Sequence, residues 1–209
     1  ITACMMTAAA GHGACPVYDV AFVADVPYLG PARRECLDLY RPVPRSPDER
    51  FPGVVIIHGG GWSGGTKSAG REINIGTNLA RLGYVCISID YLLSTPQRPS
   101  WPENVYDCKR AVQFLRVNAR DYQLDPAHIG CIGGSAGGHL SAFLATAGAA
   151  AGLEPPTPYP GVSSQVQAGI DLYGIADVPN WRRTASDGTP LEIREHSSST
   201  WMLGATYED

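Results

Sequence analysis

The chain has 209 residues, 44% of them hydrophobic, and a formal net charge of −4 at pH 7. That is enough apolar material for one buried core. The negative balance excludes non-specific nucleic-acid binding, which needs clustered Lys and Arg, and no apolar run approaches the roughly 20 residues of a membrane span.

The opening stretch "ITACMMTAAAGHGA" has neither a Met at position 1 nor a basic n-region. It is not a readable signal peptide, and residues 1–16 read as a flexible tail or the remnant of such a leader. The compartment is left open, with the cytoplasm favoured over secretion. Of the six cysteines, Cys86 and Cys131 fall inside apolar runs, where a thiol behaves as a small hydrophobe. Cys36 and Cys108 also lie in patterned segments. Cys4 and Cys15 are left as a pair that an oxidising compartment could join. No two pairs have zinc-ligand spacing, so no metal site is expected.

Along the chain, "ECLDLYRP" alternates apolar and polar residues and ends in proline, as a half-buried strand does. "RPVPRSPDERFPG" reads as a surface loop, and "VVIIH" as a strand buried on both faces of a parallel sheet. "REINIGTNLARLG" is a helix stopping at Gly83, followed by the buried strand "YVCISID". The next helix sets Val105, Cys108, Val112, Leu115 and Ala119 on one face. "HIGCIGG" is a strand, "AGGHLSAFLATAG" a helix, "LEPPTPYPG" a loop and "VQAGIDLYG" another strand. No strong strand signal follows Gly174. Strands alternating with helices imply βαβ units, hence an α/β fold with an open, mostly parallel sheet and helices on both faces. Ligands of such sheets sit at the carboxyl ends of the strands, which is where the clusters "HGGGWSGG" and "GGSAGG" fall.

The first cluster contains G-x-G-x-x-G as Gly59, Gly61 and Gly64, with Asp90 ending the next strand, the outline of a dinucleotide fingerprint. The spacing to Asp90 is too long, Trp62 is too bulky for the turn, and this is not the first strand of the sheet. A phosphate-binding P-loop fails because Thr66 separates Gly65 from Lys67. The second cluster reads G-x-S-x-G over Gly133, Gly134, Ser135, Ala136 and Gly137. Between an apolar strand and a helix, that pattern is the nucleophile elbow: a sharp turn that exposes the serine oxygen and requires small neighbours. The N–H groups of Gly60, Gly61 and Ala136 would then converge as an oxyanion hole. His58 is expected to brace the loop. Trp62 is expected either as an acyl-pocket wall that touches substrate or as packing.

With "LDLYRP", "VVIIHGGGW", "SIDYLLS", "YDCKRAVQFLRVNA", "IGCIGGSAGGHL" and "VQAGIDLYG" in this order, the chain resembles α/β-hydrolase carboxylesterases over about residues 35 to 175. The likeness is to the acetyl-xylan and feruloyl esterase-like group, near the hormone-sensitive-lipase-like group. The resemblance implies a cofactor-free serine esterase acting on small carboxylic esters through an acyl-enzyme, with residues 17–209 as the hydrolase domain. Leu92 departs from the family's "DYR", which puts the bracing of the Asp90 loop in doubt. Kynurenine formamidases share the pattern, so an amidohydrolase is an alternative. A non-catalytic ligand-binding module of the same fold is another.

In this fold the acid and then the histidine follow the nucleophile. Asp171 or Asp177 with His196 would satisfy the order. Asp171, however, belongs to the strand directly after the elbow helix, whereas the family's acid follows the next one. The resemblance therefore places the catalytic acid and base beyond Asp209, with the last strands of the sheet. Such a chain would expose a sheet edge, and would be poorly soluble alone or be completed by another chain or a second copy.

Overall fold

The computed structural model describes residues 17–178, 187, 189 and 198–204. The expected tail over residues 1–16, the Cys4/Cys15 pair and His196 lie outside these. Six strands form one sheet: β1 (Val20–Pro27), β2 (Cys36–Pro42), β3 (Phe51–Ile57), β4 (Val85–Ile89), β5 (Leu124–Gly134) and β6 (Ala168–Leu172). Their order is β1-β2-β4-β3-β5-β6. The pairs β3/β4, β3/β5 and β5/β6 are parallel, and β1/β2 and β2/β4 antiparallel. This is the open, mostly parallel sheet that the alternating pattern implies.

The period of two decides which side chains meet which helix. Leu37, Leu39, Val55, Ile57, Val85, Ile87, Ile89, Ile129 and Cys131 join one core cluster. Tyr40, Ile56 and Cys86, one residue out of phase, join a second on the opposite face. Helix α1 (Gly70–Arg81) covers the second cluster through Ile75, Leu79 and Ala80. Helices α2 (Glu103–Val117) and α3 (Ala136–Thr146) cover the first. A short helix, α4 (Ser198–Leu203), seats Met202 in the same core, and the Met202 carbonyl accepts the Trp101 N–H at 3.0 Å.

Two elements differ from the sequence reading. Strand β1 has no sequence signal because most of its residues face solvent on both sides, so no apolar alternation marks it. Helix α2 is buried on both faces rather than one. A loop over residues 154–165 lies across its outer face, where Lys109 Nζ donates to Glu154 Oε1 at 2.7 Å and Gln113 Nε2 to the Val162 carbonyl at 2.8 Å. At the far edge of the sheet, β6 is exposed along most of its length, with Ile170 uncovered. Cys86, Cys108 and Cys131 are buried thiols, and Cys36 is half-buried.

The α2 register places Asp107, wholly buried, beneath the loop after β4. Its carboxylate accepts the Leu92 N–H at 2.9 Å, Arg33 Nη2 at 2.6 Å and Arg110 Nη1 at 2.9 Å. The bracing that Leu92 itself cannot offer is thus supplied by guanidinium groups from two other segments. Removing a partner from a buried charge pair leaves the remaining charge uncompensated. Asp107→Ala is therefore expected to lower the unfolding free energy by about 3–5 kcal/mol. Glu103→Gln, at the exposed rim of the same cluster, should cost under about 1 kcal/mol. Urea titration of both variants checks the contrast, and equal losses would contradict it.

Candidate active site

Strand β5 ends at Gly134 and α3 begins at Ala136, so Ser135 alone makes the turn between them. Its backbone lies at φ 57° and ψ −121°, a region that residues with a Cβ rarely enter. The turn is held from both sides: the Ser135 N–H donates to the Leu172 carbonyl at 2.9 Å, and the Ser135 carbonyl accepts the His139 N–H at 3.0 Å. Glycine at 137 is a steric necessity. A Cβ there would overlap the Ile57 carbonyl oxygen and stand 2.6 Å from that of His58. Ser135 is partly exposed, and among the described residues its hydroxyl has no hydrogen-bond partner.

The glycine loop after β3 lies against this turn. A Cβ on Gly59 would stand 2.7 Å from the Gly134 carbonyl oxygen and 3.4 Å from Ser135 Cβ. The loop runs through positive φ at Gly60 (121°), Gly61 (59°) and Trp62 (57°). At Gly60 only glycine serves, because a Cβ would collide with the Gly64 carbonyl. The Gly60 carbonyl turns inward to accept the N–H groups of Ser63 at 3.2 Å and Gly64 at 3.0 Å. The N–H groups of Gly60, Gly61 and Ala136 have no acceptor among the described residues.

Trp62 corrects one expectation. It has no exposed surface, so it cannot line an acyl pocket, and any further chain could only cover it more. Its indole N–H donates to His139 Nδ1 at 3.3 Å, the two rings meeting edge-on at 5.2 Å. The Trp62 carbonyl accepts the Ser94 N–H at 2.8 Å and its hydroxyl at 3.0 Å. The tryptophan ties the glycine loop to the elbow helix.

His58 is buried, stacked on Tyr91 at 4.4 Å, with Nδ1 2.7 Å from the Gly59 carbonyl. Burial pushes its pKa down. It braces the loop, as expected. Asp90 is not free for a ribose, because its carboxylate accepts the Lys67 N–H at 2.8 Å and closes the far side of the glycine loop. Lys67 Nζ in turn reaches Asp25 and Asp38, each at 2.8 Å. His128 pairs with Asp125 on the surface at 2.6 Å. At about 3.3 Å per strand residue, it is roughly 20 Å from Ser135 along β5.

Asp171 pairs in register with Gly133 and lies beside the elbow. Its carboxylate accepts the Gly174 N–H at 2.6 Å, closing the turn that ends β6. Asp177 is exposed. With His196 outside the described residues, the sequence-ordered triad is not assembled among those that are described. Sequence reasoning missed two residues at the elbow. Arg71, in the first turn of α1, donates through Nη1 to the Tyr173 hydroxyl at 2.5 Å. A Cβ on Gly134 would overlap Arg71 Nη1 and stand 2.7 Å from that hydroxyl. The only hint in the sequence is the glycine requirement itself, which does not say what fills the space.

The BD-FAE family profile matches residues 37–209. The chain belongs to the BD-FAE family of α/β-hydrolases. The match begins at Leu37, so β1 precedes it. Esterase LipQ of Mycobacterium tuberculosis is 35% identical over 160 residues, covering 77% of this chain and 37% of LipQ. Rat neutral cholesterol ester hydrolase 1 is 40% identical over 105 residues, covering 48% of this chain and 25% of that protein. A truncated form of a carbohydrate esterase from gut microbiota superposes with a TM-score of 0.71 at 25% identity, covering 90% of this chain and 67% of that one. Butyrate-bound Thermogutta terrifontis esterase 2 is 29% identical with a TM-score of 0.58, over 74% of this chain and 53% of that one. This BD-FAE chain thus spans little more than a third of the length of LipQ.

The Trp62 bond requires a neutral His139 with its proton on Nε2. Burial lowers the His139 pKa to about 4, outweighing the pull of the Asp171 carboxylate. The unfolded chain takes up that proton near pH 6.5, before the folded one. Stability from this site is therefore full above about pH 6.5 and is lost as pH falls towards 4. His139→Gln removes the titration at a fixed cost. The stability gap between it and the parent should narrow by on the order of 2 kcal/mol between pH 7 and pH 4.5. Urea unfolding at the two values tests this; a constant or widening gap would contradict it.

Proposed function

We propose that the protein is a serine hydrolase of small carboxylic esters that works without a cofactor through an acyl-enzyme. The observation that carries this reading is the Ser135 turn: a strained, partly exposed serine at the carboxyl end of a central strand. Strain of this kind costs of order 1–3 kcal/mol and persists at functional sites. A binding protein gains nothing from it, which weighs against the non-catalytic module. In the proposed reaction the Ser135 hydroxyl oxygen attacks the acyl carbon. The carbonyl oxygen takes up the negative charge, and the N–H groups of Gly60, Gly61 and Ala136 donate to it, each such donor worth typically ~3 kcal/mol in the transition state. The alcohol leaves with a proton, and water then releases the acid and restores the hydroxyl.

We place the base that takes the serine proton, and the acid that orients it, outside the described residues. His58 and His139 are neutral, buried and committed to bracing bonds, and His128 is paired with Asp125 on the surface, seven residues before Ser135. The esterase relatives support an ester substrate, and the butyrate-bound relative supports a short acyl group. The carbohydrate esterase extends the candidates to acyl groups on sugars, with acetyl and feruloyl esters the first to try.

A fluorophosphonate probe should label Ser135, and p-nitrophenyl butyrate should be hydrolysed without added metal by the protein carrying its base and acid. Ser135→Ala should abolish labelling and lower kcat by at least ~10³, with little change in stability. Unchanged turnover in that variant would refute the mechanism. Ligand binding without labelling would favour the module, and faster cleavage of an arylformamide than of any ester would favour the amidohydrolase.

A further inference from the structure

The mechanism leaves Arg71 and Tyr173 unused, although both stand against the nucleophile turn. Tyr173 follows the residue whose carbonyl holds the Ser135 N–H. Its backbone lies at φ 50°, and the residue is 71% exposed. The Asp171 carboxylate, by accepting the Gly174 N–H, closes the turn that swings this ring towards the elbow. From the other side comes Arg71, which crosses Gly134 to meet the tyrosine hydroxyl. The point where a Gly59 Cβ would stand is 3.7 Å from Arg71 Nη2 and 3.4 Å from Ser135 Cβ. Guanidinium and nucleophile thus flank the same glycine.

One edge of the guanidinium is fixed from behind. Its Nε donates to Glu72 Oε1 at 2.9 Å and Nη2 donates to the same oxygen, while Glu72 is buried. The front remains open, with a third of the Arg71 side chain exposed. A guanidinium carries five N–H donors, and the bonds to Glu72 and Tyr173 use three, leaving one on each terminal nitrogen. The Tyr173 oxygen accepts from Arg71, so its own proton is available to donate outward. A charged and a neutral donor thus stand side by side, within reach of one anionic group.

We propose that Arg71 and Tyr173 form a carboxylate-recognising fork beside Ser135. The substrates favoured by the site are then esters that carry a carboxylate a few bonds from the ester carbonyl, the simplest being monoesters of dicarboxylic acids. This inference rests on the serine-hydrolase reading for the word substrate, but the fork itself is a binding site that can be measured without turnover.

The test is titration calorimetry on the protein carrying its base and acid and bearing Ser135→Ala, with monomethyl glutarate and dimethyl glutarate as the two probes. The monoester is expected to bind at least about tenfold more tightly, the worth of a charge-assisted hydrogen bond. Tyr173→Phe, at an exposed position with little risk to folding, should remove part of that preference. Arg71→Met combined with Glu72→Gln, which leaves no carboxylate buried alone, should remove it all while the diester affinity stays the same. Arg71→Lys should restore a fraction, since an ammonium supplies charge without the fork. Equal affinities for the two probes, no measurable binding of either, or a preference that survives the double variant would overturn the proposal. Labelling and p-nitrophenyl ester turnover of the protein carrying its base and acid, with Ser135 intact, judge the hydrolase reading separately. Preference without turnover would keep the fork and sink the hydrolase, and turnover without preference would do the reverse.

Discussion

A residue with a Cβ is held at φ 57° where β5 turns into α3, and the surroundings of the elbow are arranged to keep it there. The strain has to be met by contacts that exist only when the turn is formed. The Leu172 carbonyl supplies one, across the parallel ladder from β6. The end of β3 supplies another, because α3 starts so close to it that residue 137 can carry no side chain. The position of Ser135 is therefore a property of three adjacent strands rather than of the G-x-S-x-G segment. This is why a pattern common in glycine-rich loops acquires meaning only in its strand-to-helix context.

The same logic extends to the glycine loop facing the serine. Three successive residues at positive φ would not hold their shape unaided. They are pinned at the front by Trp62, whose side chain reaches His139 one turn along the elbow helix. Behind them, Asp90 holds Lys67 by its N–H, and the Lys67 ammonium draws in Asp25 and Asp38. The two glycine segments are thus locked to each other and to the strands beneath. The N–H groups of Gly60, Gly61 and Ala136, without an acceptor among the described residues, are held in a fixed backbone, which is the condition the proposed oxyanion hole requires.

Departures from the family pattern are absorbed by distant residues. Where the resemblance leads one to expect an arginine this chain has Leu92, and the loop it belongs to is held through the Leu92 N–H by Asp107, with Arg33 and Arg110 neutralising that carboxylate. A buried carboxylate with two guanidinium partners is tolerable where one without them is not. The loop after β4 is therefore braced in this chain without an arginine at position 92.

The amino-acid sequence by itself determined the layers and the turn at Ser135. Alternation at period two sorts Val55 and Ile57 from Ile56, and small residues around Ser135 between an apolar run and a helix leave little but an elbow. These are local properties, carried by spacing along the chain. Strand β1 was invisible because its exposed edge needs no apolar alternation. The buried outer face of α2 depends on a loop some fifty residues downstream. Trp62 looked the same as pocket wall or as packing until His139, 77 residues away, gave its indole an acceptor. Arg71 and Tyr173 stand 102 residues apart, and nothing in either segment names the other. Only the tertiary structure decided these, because a hydrogen bond or an ion pair is set by where folding brings two groups together in space, and that distance is not written in either group's neighbours.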